Sequence, residues 1–313
     1  MSSREMEQVK AAGSILKNAG FTVSQIKYSR PSCFDIAARK DRMLVLIKVQ
    51  QDISAISPKD SLELRTVCQN VSATSLIIGD KTRDKPLEDD TVYSRYTVPA
   101  VTSKTFEDII LRKIQPLIQA GPGGYYVEID GEALRRRRQE LGMSAGDVAE
   151  KVGVSKRTLY GYERGMTRAS VTVAYKLLCT LGDPVAKTVE ILKTPKNPKK
   201  SSKVRAKRMI AKSRFLKWIF KNVDDYDVVP LRKVPFDFLI TVPEEDIKIM
   251  GSVAEEKEAN MTKMIDEIIG LSKVVQAQPV LVTEDGRIRK SDIPCISREE
   301  ISRIRKPEEL CKL

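Results

Sequence analysis

Apolar positions recur at helical spacing through residues 134–181, in short blocks punctuated by glycines. Val148, Ala149 and Val152 give one short helix an apolar side, and Leu159 with Tyr162 do the same for the next. Gly142, Gly153 and Gly165 stand where helices end, because glycine takes the left-handed backbone of a helix C-terminus at little steric cost. Ser144 caps the first of the two helices, with Asp147 three residues on as an acidic variant of the capping box, and Ser155 caps the second. A helix ending at Gly142 precedes the pair. Another follows over 171–181, with Ala174, Leu177, Leu178 and Leu181 on its apolar stripe. Lys156, Arg157, Thr158, Tyr160 and Gly161 are left on the outward side of the second helix. A short, basic, capped helix clamped across a tight turn is shaped to enter a DNA major groove.

On either side, helical and strand periods alternate in the same order twice. The first run has an amphipathic helix over 9–19 with Ala12, Ile15 and Leu16 inward, then an apolar strand opened by Phe34-Asp35, then a strand over 43–49. The second has a helix over 210–220, a strand opened by Phe236-Asp237, then a strand over 247–253. Each continues with a long helix (61–71; 254–271, with Met261, Met264, Ile265, Ile268 and Ile269 at core spacing), an apolar strand (75–78; 279–283), and a last strand before a Ser- or Thr-capped helix. The expected fold class is α/β plus all-α: two similar α/β domains over 1–120 and 204–313 flank a helical domain over 125–192. Gly121, Pro122, Gly123 and Gly124 read as a flexible break before a strand over 125–129. Residues 193–203 form a Pro- and Lys-rich linker, and no acidic residue occurs from Ile191 to Val223.

Composition narrows the chemistry. The 313 residues carry a net charge of +13, which suits a polyanionic partner. No apolar run approaches the length of a membrane span, and the first residues lack a signal peptide's apolar core; a cytoplasmic location is expected. The five cysteines (Cys33, Cys68, Cys179, Cys295, Cys311) are scattered without a paired spacing and read as reduced thiols. With no histidine, His-dependent nucleophilic catalysis is excluded and a zinc site disfavoured, so no cofactor is expected. An enzyme here would have to use carboxylates, lysine or magnesium.

The segment over 131–192 resembles the Cro and lambda-repressor class of helix-turn-helix domains, which implies a five-helix unit. The resemblance places that class's structural ion pair, between first and third helices, on Arg138 and Glu163. It departs at Ala145, where the class commonly has glutamine, and at Gly161, a frequent base-reading position. DNA contacts are therefore expected at Ser144, Ser155, Lys156, Arg157, Thr158, Tyr160 and Gly161, and, for phosphate, at Thr167 and Arg168. A unit that reads a short half-site implies a homodimer on a pseudo-palindrome.

The flanking repeat is similar to the restriction-endonuclease and Holliday-junction-resolvase fold. Active members of that fold bind magnesium with an Asp followed about a dozen residues later by Glu-x-Lys, a hard oxygen cluster. Here Asp35 is followed by Lys48 and Gln50, and Asp237 by Met250 and Ser252. A second register makes Lys48 the lysine but leaves Leu46 in the acid position, and Asp246 with Lys248 imitates the motif only at shortened spacing. Neither copy assembles a metal site, and the aspartates read as structural. The whole chain resembles a family of archaeal HTH-type transcriptional regulators, which implies a sequence-specific DNA-binding transcription regulator without enzymatic activity. The alternatives are a magnesium-dependent nuclease or resolvase, and a bridging factor that contacts the transcription machinery.

Overall fold

The computed structural model describes residues 3–27, 32–193, 227–231, 233–242, 247–254, 261–283, 293–297 and 300. The chain forms two compact units, one comprising Met1–Gln50, Ala55–Leu76 and Leu192–Leu313, the other Gln51–Ser54 and Ile77–Ile191. The basic stretch beyond Lys193, the helix expected over 210–220, Asp246 and Cys311 lie outside the described residues.

In the first unit, α1 (Ser3–Asn18) buries Val9, Ala12 and Leu16 and leads into an antiparallel meander, β1 (Thr22–Gln25), β2 (Ile36–Lys40) and β3 (Met43–Val49). Ile36, Ala37, Ala38, Leu44, Val45, Leu46 and Ile47 are all buried, so the middle of the meander is covered on both faces. The following helix, α2 (Pro58–Val71), starts three residues before the position read from periodicity. Ser57 and Asp60 form a reciprocal capping box there, and Pro58 supplies a preset first-turn φ. The chain then enters β4 (Thr74–Ile78), the neighbour of β3.

The C-terminal residues of this unit repeat that order. Strands β12 (Asp227–Pro230), β13 (Phe238–Val242) and β14 (Ile247–Ala254) form a second antiparallel meander. After helix α8 (Met261–Val275), β15 (Gln278–Thr283) lies parallel to β14, and β16 (Cys295–Ser297) parallel to β15. The helix expected over 254–271 is displaced to 261–275 because β14 continues through Ala254. Its stripe is core: Met264, Ile265, Ile268 and Leu271 are buried. The copies pack within the unit. Arg39, in an otherwise apolar strand, donates to the last carbonyls of α8, Nε to Val274 O at 2.5 Å and a terminal nitrogen to Val275 O at 3.1 Å. The Cys33 N–H donates to Lys233 O at 2.6 Å, and Lys233 in turn donates its N–H to Glu63 and pairs its ammonium with Asp60.

In the second unit β5 (Lys81–Thr82) and β6 (Lys85–Pro86) form a short hairpin, and the last two residues of β4 pair in parallel with β8 (Val98–Val101), which is antiparallel to β7 (Thr91–Arg95) and leads into α3 (Ser103–Glu107). Strand β9 (Ile118–Gly121) runs parallel to β7 and forms a hairpin with β10 (Gly124–Val127). Residues 121–124, read as a flexible break, are the tip of that hairpin; Gly123 takes φ 84°, and the Tyr126 hydroxyl closes the tip onto Pro122 O at 2.8 Å. Four helices follow: α4 (Gly131–Glu140), α5 (Ala145–Val152), α6 (Lys156–Glu163) and α7 (Val171–Leu181), with β11 (Ala169–Ser170) between the last two.

Two expectations are corrected in this unit. No fifth helix follows α7 among the described residues. Pro184 disfavours helix for the residue before it, and the chain returns extended, with Asp130 N–H donating to Val185 O and Lys187 N–H to Glu128 O. Leu178 is off the apolar stripe. It is 40% exposed, because α7 presents Leu177 and Leu181 to the core.

Candidate nucleic-acid interface and nuclease-like centre

Local signals build the helix-turn-helix as read. Ser144 accepts from Asp147 N–H while Asp147 accepts from Ser144 N–H at 2.7 Å, and that bond holds the Asp147 carboxyl below the usual carboxylate range. Gly142, Gly153 and Gly165 take φ 65°, 80° and 64°, the left-handed values that end each helix. Ser155 accepts from Thr158 N–H at 3.0 Å, and the two hydroxyls lie 2.8 Å apart. Val148, Ala149, Val152, Leu159, Tyr162, Leu177 and Leu181 close one core with Leu134, Val127 and Ala169.

In the four-arginine run on α4, Arg137 and Arg138 tie elements of the domain together, while Arg135 and Arg136 are largely exposed. Arg138 Nε lies 2.7 Å from Glu163 Oε1, and a terminal nitrogen bonds Met143 O at 3.0 Å. Arg135 approaches the other Glu163 oxygen at 3.7 Å; Arg136 pairs with Glu140; Arg137 holds Asp183 at 2.8 Å and Leu181 O at 2.9 Å, at the end of α7. Gly131 permits the close approach of α4 to α6, since a Cβ there would lie 2.2 Å from Glu163 O.

The outward side of α6 exposes Lys156, Arg157 and Tyr160, and half-exposes Thr158 and Gly161. Among the described residues Arg157 forms no hydrogen bond or ion pair. Lys156 is turned toward the start of α5: a Cβ on Gly146 would lie 2.7 Å from its Cε, and its charge acts on Asp147. Gly161 is where the loop after α6 comes close, a Cβ there meeting Thr167 Cγ2 at 3.0 Å. Thr167 and Arg168 are exposed, and Arg168 donates to Gln119 Oε1 of the β9–β10 hairpin at 2.8 Å. That hairpin belongs to the helical core through Val127, which pairs with Ala169. Sequence reading missed it as part of this surface. The strand over 125–129 was read, but its pairing with β9 and β11 was not, because the neighbouring glycines resemble a linker.

The second constellation lies in the first unit. Asp35, at the entry to β2, is buried; its Oδ2 accepts from Val49 N–H at 2.7 Å and its Oδ1 lies 3.0 Å from Lys48 Nζ. Lys48 also donates to Ser32 O at 3.1 Å, and Gln50 Nε2 donates to Glu5 Oε1 at 2.9 Å. Burial keeps the Asp35 carboxyl above its ordinary pKa, outweighing the Lys48 charge and the Val49 N–H. Glu5, forty-five residues upstream of Gln50, carries no local sequence signal that joins it to this group. In the other copy Asp237 N–H donates to Gly251 O as Asp35 N–H does to Ile47 O, so Ser252, rather than Met250, stands where Lys48 does. The Ser252 hydroxyl donates to Asp237 Oδ2 at 3.0 Å. Magnesium would need several oxygen ligands together, and no group of three His, Cys, Asp or Glu residues able to hold a metal occurs among the described residues. With an ammonium on Asp35, the side chains present do not fit the ion. The thiols of Cys33 and Cys68 are buried, which pushes both pKa values up and makes them poor nucleophiles. No helix among the described residues is long and apolar enough to cross a membrane.

Comparison with known proteins finds a known domain type around each of these two groups. Residues 5–116 match a PD-(D/E)XK superfamily domain, and residues 134–184 match a helix-turn-helix domain. A chain of Methanosarcina acetivorans named "Putative HTH-type transcriptional regulatory protein" is 30% identical over 308 residues, covering 95% of this chain and 92% of that one. A Methanococcoides burtonii protein of the same name is 31% identical over 303 residues, with the same coverage. One from Methanocaldococcus jannaschii is 31% identical over 295 residues, covering 93% and 90%. A solved chain of the SinR protein/SinI protein complex is 27% identical over 27% of this chain and 80% of that one, with a TM-score of 0.17, which supports no likeness of fold. The chain, a PD-(D/E)XK-type α/β domain joined to a helix-turn-helix domain, belongs to this family of archaeal HTH-type transcriptional regulatory proteins.

Proposed function

We propose that the protein is a sequence-specific, DNA-binding transcriptional regulator without enzymatic activity, which inserts α6 into the major groove and acts as a homodimer in the cytoplasm. Its parts would be an α/β domain over 1–120, a DNA-binding domain over 125–192, a basic linker over 193–203 and a second nuclease-like α/β domain over 204–313. The observation that carries the reading is α6 itself. Eight residues long and capped by Ser155, it is anchored at its far end by the Glu163–Arg138 pair and presents outward Arg157, which has no partner among the described residues. Arg157 is suited to guanine O6 and N7, and Thr158 to either base type; Tyr160 lies beside them. Ser144, Lys156, Thr167, Arg168 and the N-terminal turns of α5 and α6 are suited to phosphate. The net charge of +13 supplies the long-range attraction.

The test is selection from a genomic DNA library by the purified full chain, with Mg²⁺ present and at two salt concentrations, followed by sequencing and sizing of the recovered fragments. Enrichment of a short palindrome on intact DNA, lost in Arg157→Ala, is the expected result. Uniform, salt-sensitive binding without enrichment would replace sequence reading with a bridging role. Shortened fragments would establish a nuclease.

A further inference from the structure

We infer that Lys48 is a built-in cation: its ammonium takes the place of a divalent ion at the nuclease-like centre, which is a metal site closed by one side chain. Two oxygens of the kind hard cations choose, a carboxylate and a backbone carbonyl, converge on a single point. That point is Lys48 Nζ, 3.0 Å from Asp35 Oδ1 and 3.1 Å from Ser32 O. The lysine reaches it from β3, the strand paired with β2 through Ile36 and Ile47, so strand register fixes where its stem begins and the two oxygens hold its end. Asp35 is only 3% exposed, and a buried carboxylate requires a counter-charge. A divalent ion would meet that need only when bound, whereas an ammonium in the sequence meets it always.

The surrounding residues agree with this substitution. Glu5 acts electrostatically on Asp35, placing a second carboxylate in the group. Its Oε1 is engaged by the Gln50 amide, which adds no charge. Mg²⁺ at Asp35 would have to add two positive charges beside the Lys48 ammonium already held there. In the second copy the residue in the Lys48 position is Ser252, whose hydroxyl donates to Asp237 Oδ2.

The centre should therefore open when the ammonium is removed. Mn²⁺ serves as the probe, with free ion counted by electron paramagnetic resonance and the unfolding temperature followed in parallel on the full chain. The wild type is expected to take up no Mn²⁺ at this centre, and its unfolding temperature to be the same with Mn²⁺ as with chelator. Lys48→Glu is expected to bind one Mn²⁺ per chain at least tenfold more tightly than wild type, and to unfold at higher temperature as Mn²⁺ is added. Adding Asp35→Asn to Lys48→Glu should abolish both effects. Should Lys48→Glu fold poorly, Lys48→Ala retains Asp35 and Glu5 and should still gain Asp35-dependent Mn²⁺ uptake. A folded Lys48 variant with no more uptake than wild type overturns the inference. So does a wild type that binds one Mn²⁺ lost in Asp35→Asn.

Discussion

Arg138 of α4 and Glu163 of α6 meet at 2.7 Å, with the glutamate side chain 1% exposed and the arginine 13%. The pair ties the outward helix to the helix before the turn, so it sets the angle at which α6 leaves the domain. Removing one partner of a buried pair typically costs about 3–5 kcal/mol, because the survivor is left uncompensated. Arg138→Ala should fall near the lower end, about 3 kcal/mol, since Arg135 remains 3.7 Å from the other glutamate oxygen. Urea unfolding of the full chain would show it as a lower midpoint. A combined Arg138→Met and Glu163→Met variant should lose less than the sum of the single changes. A sum that is simply additive would mean that the two side chains act independently.

The same junction depends on a missing side chain. At Gly131 a Cβ would fall 2.2 Å from Glu163 O and 2.7 Å from Tyr162 O, both backbone atoms that no rotamer change can move. Gly131→Ala must therefore push α4 away from α6, at a cost of about 1–3 kcal/mol in strain and repacking. Gly142→Ala gives a useful contrast. No atom lies within 4 Å of a Cβ there, and its cost comes only from the left-handed φ of 65°. Amide exchange should speed up at the end of α6 in the first variant and stay local to the end of α4 in the second.

What was legible in the chain was what neighbours in sequence decide. Ser144, Ser155 and the three helix-ending glycines act within one turn, and their caps and bounds could be read directly. The Arg138–Glu163 pair came from resemblance rather than spacing. Long-range pairing escaped both routes: the strand over 125–129 was read, but its partner over 118–121 was hidden because the hairpin tip has the composition of a linker. The extended return over 185–189 depends on partners at Pro116, Glu128 and Asp130, invisible to a helical pattern. At the nuclease-like centre Asp35 and Lys48 were legible because the two strands are joined by a short turn. Ser252 was misplaced by two residues because the corresponding connection between β13 and β14 is longer.

Two aspartates give opposite pH dependence. Asp35 is held above its ordinary value of 3.8 by burial, so the folded state binds its proton more tightly than the unfolded chain does. Its contribution to stability is full below pH 3.8 and is lost as pH rises through the folded value. Asp52 is shifted the other way, by hydrogen bonds from Ser54 and from Arg83 N–H at 3.0 Å. Its contribution is present above pH 3.8 and is lost as pH falls through the folded value. Asp52→Asn should therefore flatten the loss of stability in acid, while Asp35→Asn should make stability climb more steeply with pH above 3.8. Denaturant midpoints across the acid range test both signs. Parallel curves for the two variants would mean that neither shift exists.

Lys156 and Arg157 are adjacent on α6 but differ in surroundings, and under the proposed function the difference is expected to separate phosphate binding from base reading. The Lys156 stem lies against Gly146 at the start of α5, close to the N–H groups and the Asp147 charge of that helix end. Under the proposed function an ammonium held beside that helix end is suited to a backbone phosphate. Lys156→Ala should weaken binding to operator and random DNA alike, and reduce the log–log salt slope by about 0.9. Arg157 has no partner among the described residues and projects from the exposed side, with a planar fork that fits guanine O6 and N7. Arg157→Ala should lose about 1–3 kcal/mol on the operator and relax preference at one base pair, while binding to random DNA changes little. Titrations of both variants against both DNAs at several salt concentrations decide it. If Arg157→Ala weakens both DNAs equally and Lys156→Ala changes base preference, the two roles are reversed, and the lysine must leave Gly146 when the protein docks.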